Sequence, residues 1–286
     1  MTRSSHSALL ILALFRSVLA LSSEPGALEP PVAHLTANKI PIELRENFPI
    51  LVATVDGIDV QLKFDLGDST DLVLQQSVLD HIKAVPTGES AKFQGLYGVF
   101  ESPLFKVARV QIGTSVFIDV VARPDVRDPS YRPGGQGEKG YLGTGLLKSS
   151  EVVLDYAHRT MTLVPRVGDE RSPGTCNGTA VPFSTNWNGA PVTEADTDLG
   201  RVVLWWDTGS PISFLRKSIA HAVRSQPLGE TVTTKRFTLG DSDFGPWEFD
   251  LLDVNLPGFD GAIGYDFFAR HVVCIDFTGN QLVIGR

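Results

Sequence analysis

Two short segments of the chain nearly repeat one another. Phe64-Asp65-Leu66-Gly67-Asp68-Ser69 and Trp206-Asp207-Thr208-Gly209-Ser210-Pro211 each set an aspartate at the end of an apolar run and a glycine two residues later. Two carboxyls about 3 Å apart cannot both ionise, so such a pair shares one proton and offers a base and an acid at once. A water held between them becomes a nucleophile. One carboxylate takes its proton, the other carboxyl donates to a carbonyl under attack, and no covalent adduct with the protein forms. The titration belongs to the pair rather than to either member. Glycine two places after each aspartate removes the Cβ that would stop the two loops from approaching. Asp65 and Asp207 are therefore the candidate catalytic pair, with Gly67, Asp68, Thr208, Gly209 and Ser210 supporting their loops.

The elements that must position these aspartates also repeat. Runs 50–55 and 58–64 are rich in β-formers and separated by Asp56-Gly57, a hairpin signal because both residues tolerate positive φ. Asp65 thus sits just past a strand. Runs 191–195 and 202–206, with a turn around Asp198-Leu199-Gly200, lead into Asp207 in the same way. Downstream, Gly140-Tyr141-Leu142-Gly143-Thr144-Gly145-Leu146-Leu147 aligns without a gap with Gly261-Ala262-Ile263-Gly264-Tyr265-Asp266-Phe267-Phe268. The register continues through Val152-Val153-Leu154-Asp155-Tyr156 and Val273-Cys274-Ile275-Asp276-Phe277. Further strands are expected over 105–112, 116–122, 152–156, 161–164, 237–239, 249–254, 272–277 and 282–284, and short helical turns over 77–82, 144–148 and 218–223. The interval from Asp65 to Gly140 exceeds that from Asp207 to Gly261, and the Pro- and Gly-rich stretch 123–139 reads as the inserted surface loop. Asp155 and Asp276 repeat too, but they precede turns, and turn capping explains them.

Composition narrows the class. A net charge of -8 and the lack of any basic run exclude a nucleic-acid partner. Residues 1–22 read as a secretory signal peptide, with Arg3, an apolar core over 8–15 and a Val18-Leu19-Ala20 cleavage site. The core is too short to span a bilayer, so no stable membrane insertion is expected after cleavage and the chain reads as exported, secreted or periplasmic. Residues 23–36 read as a tether, 37–165 and 179–286 as two similar lobes, and 166–178 as the linker between them. Cys176 and Cys274 are the only cysteines, an even count that permits one disulfide or leaves two buried thiols. The six histidines show no metal spacing, and no cofactor motif is present, so neither metal nor cofactor is expected. Gly67-Asp68-Ser69 matches the nucleophile triplet of some esterases, but a β-rich chain lacks the strand-to-helix turn such a serine needs.

On these paired motifs the chain resembles the aspartic peptidases, in the two-lobed arrangement of pepsins with lobes nearer in size to a retropepsin subunit. Asp207-Thr208-Gly209-Ser210 with Ala262-Ile263-Gly264 matches that family's pattern in full, while Asp65-Leu66-Gly67 with Tyr141-Leu142-Gly143 is a degenerate copy. The resemblance implies a mainly β fold of two β-barrel-like lobes with the active-site cleft between them, and an endopeptidase acting on a peptide or protein substrate as a monomer. It also implies a hydroxyl bond from Thr208 across to the opposite loop and a mobile hairpin over the cleft, for which Tyr97 in Gln94-Gly95-Leu96-Tyr97-Gly98 is the flap candidate. Leu66 cannot return the hydroxyl bond. Asp68 stands where Ser210 stands, a position from which a hydroxyl would donate to the catalytic carboxylate; an ionised Asp68 would instead raise the Asp65 pKa, making Asp65 the proton holder and Asp207 the base. The alternative to turnover is a catalytically impaired relative that binds peptides or a partner protein.

Overall fold

A computed structural model describes residues 32–95, 98–126, 137–165, 176–186, 189–223, 230–254 and 258–285. The expected signal peptide, most of the tether, the tip carrying Tyr97 and most of the linker lie outside these residues. The predicted hairpins form: strand Phe48–Val55 turns at Asp56 (φ 43°) and Gly57 (φ 88°) into strand Ile58–Phe64, and Pro191–Thr197 turns into Gly200–Trp206. Both turn residues sit at positive φ, which lets the turn twist with its strands.

The strands make three sheets. One nine-stranded sheet belongs to the first half, a second to the second half, and a six-stranded sheet draws strands from both. The fold is mainly β, with the two nine-stranded sheets forming two lobes. Each lobe threads one strand beside its aspartate loop. Gly140–Leu142 runs parallel to Ile58–Phe64 and antiparallel to Leu72–Leu74, so it grips both ends of the loop around Asp65. Gly261–Ile263 does the same between Gly200–Trp206 and Phe214–Arg216 around Asp207. In the shared sheet, strand Ser150–Asp155 pairs directly with Val273–Asp276. One continuous apolar core, including Phe64, Leu66, Trp206, Phe267 and Ile275, runs through the lobes and the shared sheet.

Three expectations are adjusted. Residues 32–34, read within the tether, form a strand on Ser115–Pro124, whose edge offers unpaired backbone groups. The inserted loop begins later than Arg123: that residue still lies in strand Ser115–Pro124 and is buried. A helix over Tyr265–Phe268 was not anticipated, because four residues carry no periodic signal. The capping reading of Asp155 and Asp276 fits, since their carboxylates accept the backbone N–H of His158 and Gly279. Cys176 and Cys274 form a disulfide with Cα atoms 6.4 Å apart.

Candidate active site

The two loops are pinned in matching fashion. The Asp65 N–H donates to the Leu142 carbonyl at 2.9 Å and the Asp207 N–H to the Ile263 carbonyl at 3.0 Å. Within each loop the glycine N–H donates to its aspartate's Oδ1, from Gly67 to Asp65 at 3.1 Å and from Gly209 to Asp207 at 2.7 Å. The loops then meet face to face. A Cβ on Gly67 would lie 2.7 Å from Asp207 Oδ1, and one on Gly209 would lie 2.6 Å from Asp65 Oδ2. The volume a side chain would fill at each glycine is thus occupied by the opposing carboxyl, which brings the two carboxyls together at the meeting of the loops.

The Thr208 hydroxyl, buried in the interface, donates to the Phe64 carbonyl and accepts from the Leu66 N–H, both at 2.8 Å. Leu66 returns no such bond, but its side chain is fully buried in the common core. Burying a leucine stabilises by about 1.5–3 kcal/mol, against about 1 kcal/mol for the hydrogen bond it forgoes, so packing offsets the loss. Ser210 departs from expectation. Its hydroxyl donates to the Ile212 carbonyl at 2.6 Å rather than to a catalytic carboxylate.

The role expected of Asp68 is also corrected. Its Oδ2 pairs with Arg123 at 2.7 Å and its Oδ1 accepts the N–H and hydroxyl of Thr70, so its charge is spent locally. The Arg123 guanidinium lies 4.6 and 5.3 Å from the ring centres of Phe93 and Phe100, on the hairpin that carries the flap candidate. That hairpin pairs strand Val85–Gly95 with Gly98–Ile112 up to Gly95 opposite Gly98; Tyr97 itself lies outside the described residues.

A charge that sequence reasoning missed decides the electrostatics. Lys63, only 3% exposed, places Nζ 3.0 Å from Asp65 Oδ2. An ammonium at that distance favours the ionised carboxylate. Among the described residues no cation pairs with Asp207: burial first, and the Asp65 carboxylate second, push its carboxyl up to about 8, outweighing the opposite pull of Lys63 and the Gly209 N–H. The arrangement therefore favours Asp65 as the anion and Asp207 as the proton holder, the reverse of the sequence expectation. The signal was available. Lys63 stands two residues before Asp65, where the other half carries Trp205 before Asp207.

A second acid was likewise overlooked. Asp71 packs against Gly145, accepts the Val121 N–H, and is pushed up to about 6 by burial. At the equivalent places of the second half stand Ser213 and Asp266, with the Ser213 N–H and hydroxyl donating to Asp266 at 2.6 and 2.7 Å. The halves thus exchange which side of the loop supplies the carboxylate.

Among 408 solved chains that match in structure is an aspartic proteinase from Irpex lacteus, with a TM-score of 0.63 and 14% identity, covering 87% of this chain and 97% of that one. The chain has the bilobal aspartic proteinase fold. No family model and no curated protein matches its sequence. Among the described residues the one group with metal-ligand spacing is Glu151, Cys176 and Cys274, whose sulfurs are spent on the disulfide. No helix among them is long and apolar enough to cross a membrane.

Proposed function

We propose that the chain is an aspartic-type endopeptidase that hydrolyses peptide bonds with a water activated by Asp65 and Asp207. The observation that carries this reading is the meeting of the two carboxyls across Gly67 and Gly209. In the reaction, the Asp65 carboxylate takes a proton from the bridging water as its oxygen attacks the scissile carbonyl, while the Asp207 carboxyl donates its proton to the carbonyl oxygen. The tetrahedral diol then collapses: Asp65 passes the acquired proton to the amine nitrogen, Asp207 recovers a proton from the diol hydroxyl that becomes the new carboxyl C=O, and the C–N bond breaks so that the amine leaves. Since Asp207 must hold its proton, the rate falls above about pH 8.

Both aspartates lie on one chain, so a monomer suffices. The proposed lobes are 37–165 and 179–286 joined by 166–178, and the disulfide is compatible with export after removal of 1–22. The test is hydrolysis of a mixed peptide library between pH 3 and 9 by the chain lacking 1–22 and by its Asp65→Asn and Asp207→Asn variants. Both variants should lose at least about a thousandfold in rate; cleavage surviving either substitution would sink the mechanism. The Lys63–Asp65 pair also favours a second reading, in which the base is held too tightly for turnover and the cleft only binds peptides. Peptide binding without cleavage by the unsubstituted chain would select it.

A further inference from the structure

We propose that Lys63 is a positioning residue that makes Asp65 the ionised member of the pair and so divides the roles of base and acid between two otherwise matching loops. The catalytic part of this inference rests on the dyad reading above; the charge assignment does not. Lys63 lies in strand Ile58–Phe64, whose residues Val60, Leu62 and Phe64 fill the lobe core. Its side chain leaves on the other face and is buried there, with Nζ 4.6 Å from the Tyr141 ring centre and 5.1 Å from that of Phe48. Burying an ammonium is costly unless an anion compensates it. Asp65, at 3.0 Å, supplies that anion.

The second half shows what the site is like without the cation. Two residues before Asp207 stands Trp205, which is buried, stacks edge-on against Phe259 and touches the Gly67 site. The position of Lys63 beside Asp65 is thus held in the other half by a ring that carries no charge. Asp65 anionic, Lys63 cationic and Asp207 protonated sum to zero charge. Protonating Asp65 strands the buried lysine, whereas ionising Asp207 adds an anion beside another, so the state with one shared proton resists change in both directions. The remaining groups nearby do not supply this bias. Tyr156 is a buried phenol whose hydroxyl burial pushes upward, and Asp68 is paired with Arg123.

The experiment compares the unsubstituted chain with Lys63→Met and Lys63→Arg, following both carboxyl carbons by 13C NMR from pH 3 to 9, with Asp65→Asn and Asp207→Asn to assign the signals. Asp65 should be the carboxyl that ionises first in the unsubstituted chain and in Lys63→Arg. In Lys63→Met it should become protonated at least one pH unit higher, as loss of a close cation requires. The acid limb of the kcat/KM profile should rise by the same interval. Identical carboxyl titrations in Lys63→Met and the unsubstituted chain would overturn the inference, even if the variant were slower or less stable. Should no peptide be cleaved at all, the hydrolytic reading fails, while the carboxyl titration still decides what Lys63 does.

Discussion

Gly209→Ala probes the meeting of the loops with a single methyl. The Gly209 backbone is outside the left-handed region, so alanine brings no φ strain; its cost is the contact of the new Cβ with Asp65 Oδ2 at 2.6 Å and Oδ1 at 2.7 Å. Ordinary carbon–oxygen contact begins near 3.4 Å, so the carboxyl must retreat by about 0.8 Å. That retreat displaces the carboxyl relative to Asp207 and disturbs its 3.0 Å pair with Lys63. A misplacement of about 1 Å at a reacting group costs on the order of a hundredfold in rate, or about 3 kcal/mol in the barrier. Because the clash falls on a side chain rather than on backbone, the unfolding midpoint should change little. Steady-state hydrolysis should therefore show kcat about a hundredfold lower with KM within a few fold. The basic limb should move down in pH, because the two carboxyls repel less when farther apart. Gly67→Ala should act alike through Asp207, with added contact on Trp205 at 2.9 Å. A Gly209→Ala protein with kcat within threefold of the unsubstituted chain would refute the claim that these glycines exist to let the carboxyls meet.

Thr208→Val leaves the Phe64 carbonyl and Leu66 N–H buried without their hydroxyl partner, so chemical unfolding should show a loss of about 2–4 kcal/mol, while Thr208→Ser should keep most of it. Asp71 titrates near 6 in the folded chain against about 4 when unfolded, so the folded state binds the extra proton between these values. Its stabilising contribution is complete below about pH 4 and is lost as pH rises through about 6, on the order of 2–3 kcal/mol; unfolding measured from pH 4 to 7 should decline less in Asp71→Asn than in the unsubstituted chain.

The sequence carried the loops, the threaded strands and the Asp56-Gly57 turn because each is a local pattern whose physical reason is local. What it hid was where side chains go once lobes pack. In Ile58–Phe64 the alternation that sends Val60, Leu62 and Phe64 inward assigns Lys63 to the outer face with Asp59 and Gln61. That face becomes interior only at its end, where the Phe48 and Tyr141 rings and Asp65 surround the Lys63 ammonium. Arg123 was obscured by the Pro- and Gly-rich stretch after it, although its own partners, Asp68, Phe93 and Phe100, are all distant in sequence. Asp68 was misjudged for the same reason: its chemistry depends on Arg123. Comparing the halves position by position would have exposed Lys63, since a lysine opposite a tryptophan beside a shared aspartate marks the place where two similar half-sites cease to be equivalent.

The pairing of Ser150–Asp155 with Val273–Asp276 fixes where the molecule's approximate symmetry axis runs. The sequence repeat that carries Gly140 onto Gly261 carries Val153 onto Cys274, and those two residues are each other's partners in the shared sheet. Val152 opposite Ile275 is likewise the image of Leu154 opposite Val273. A pairing that maps onto itself is isologous, the geometry by which two copies of one chain form a closed dimer. The seam between the halves is therefore one that a single half could make with its own duplicate, and the covalent connection fixes which two halves meet rather than how they meet. Within that matching seam, one half carries Lys63 where the other carries Trp205.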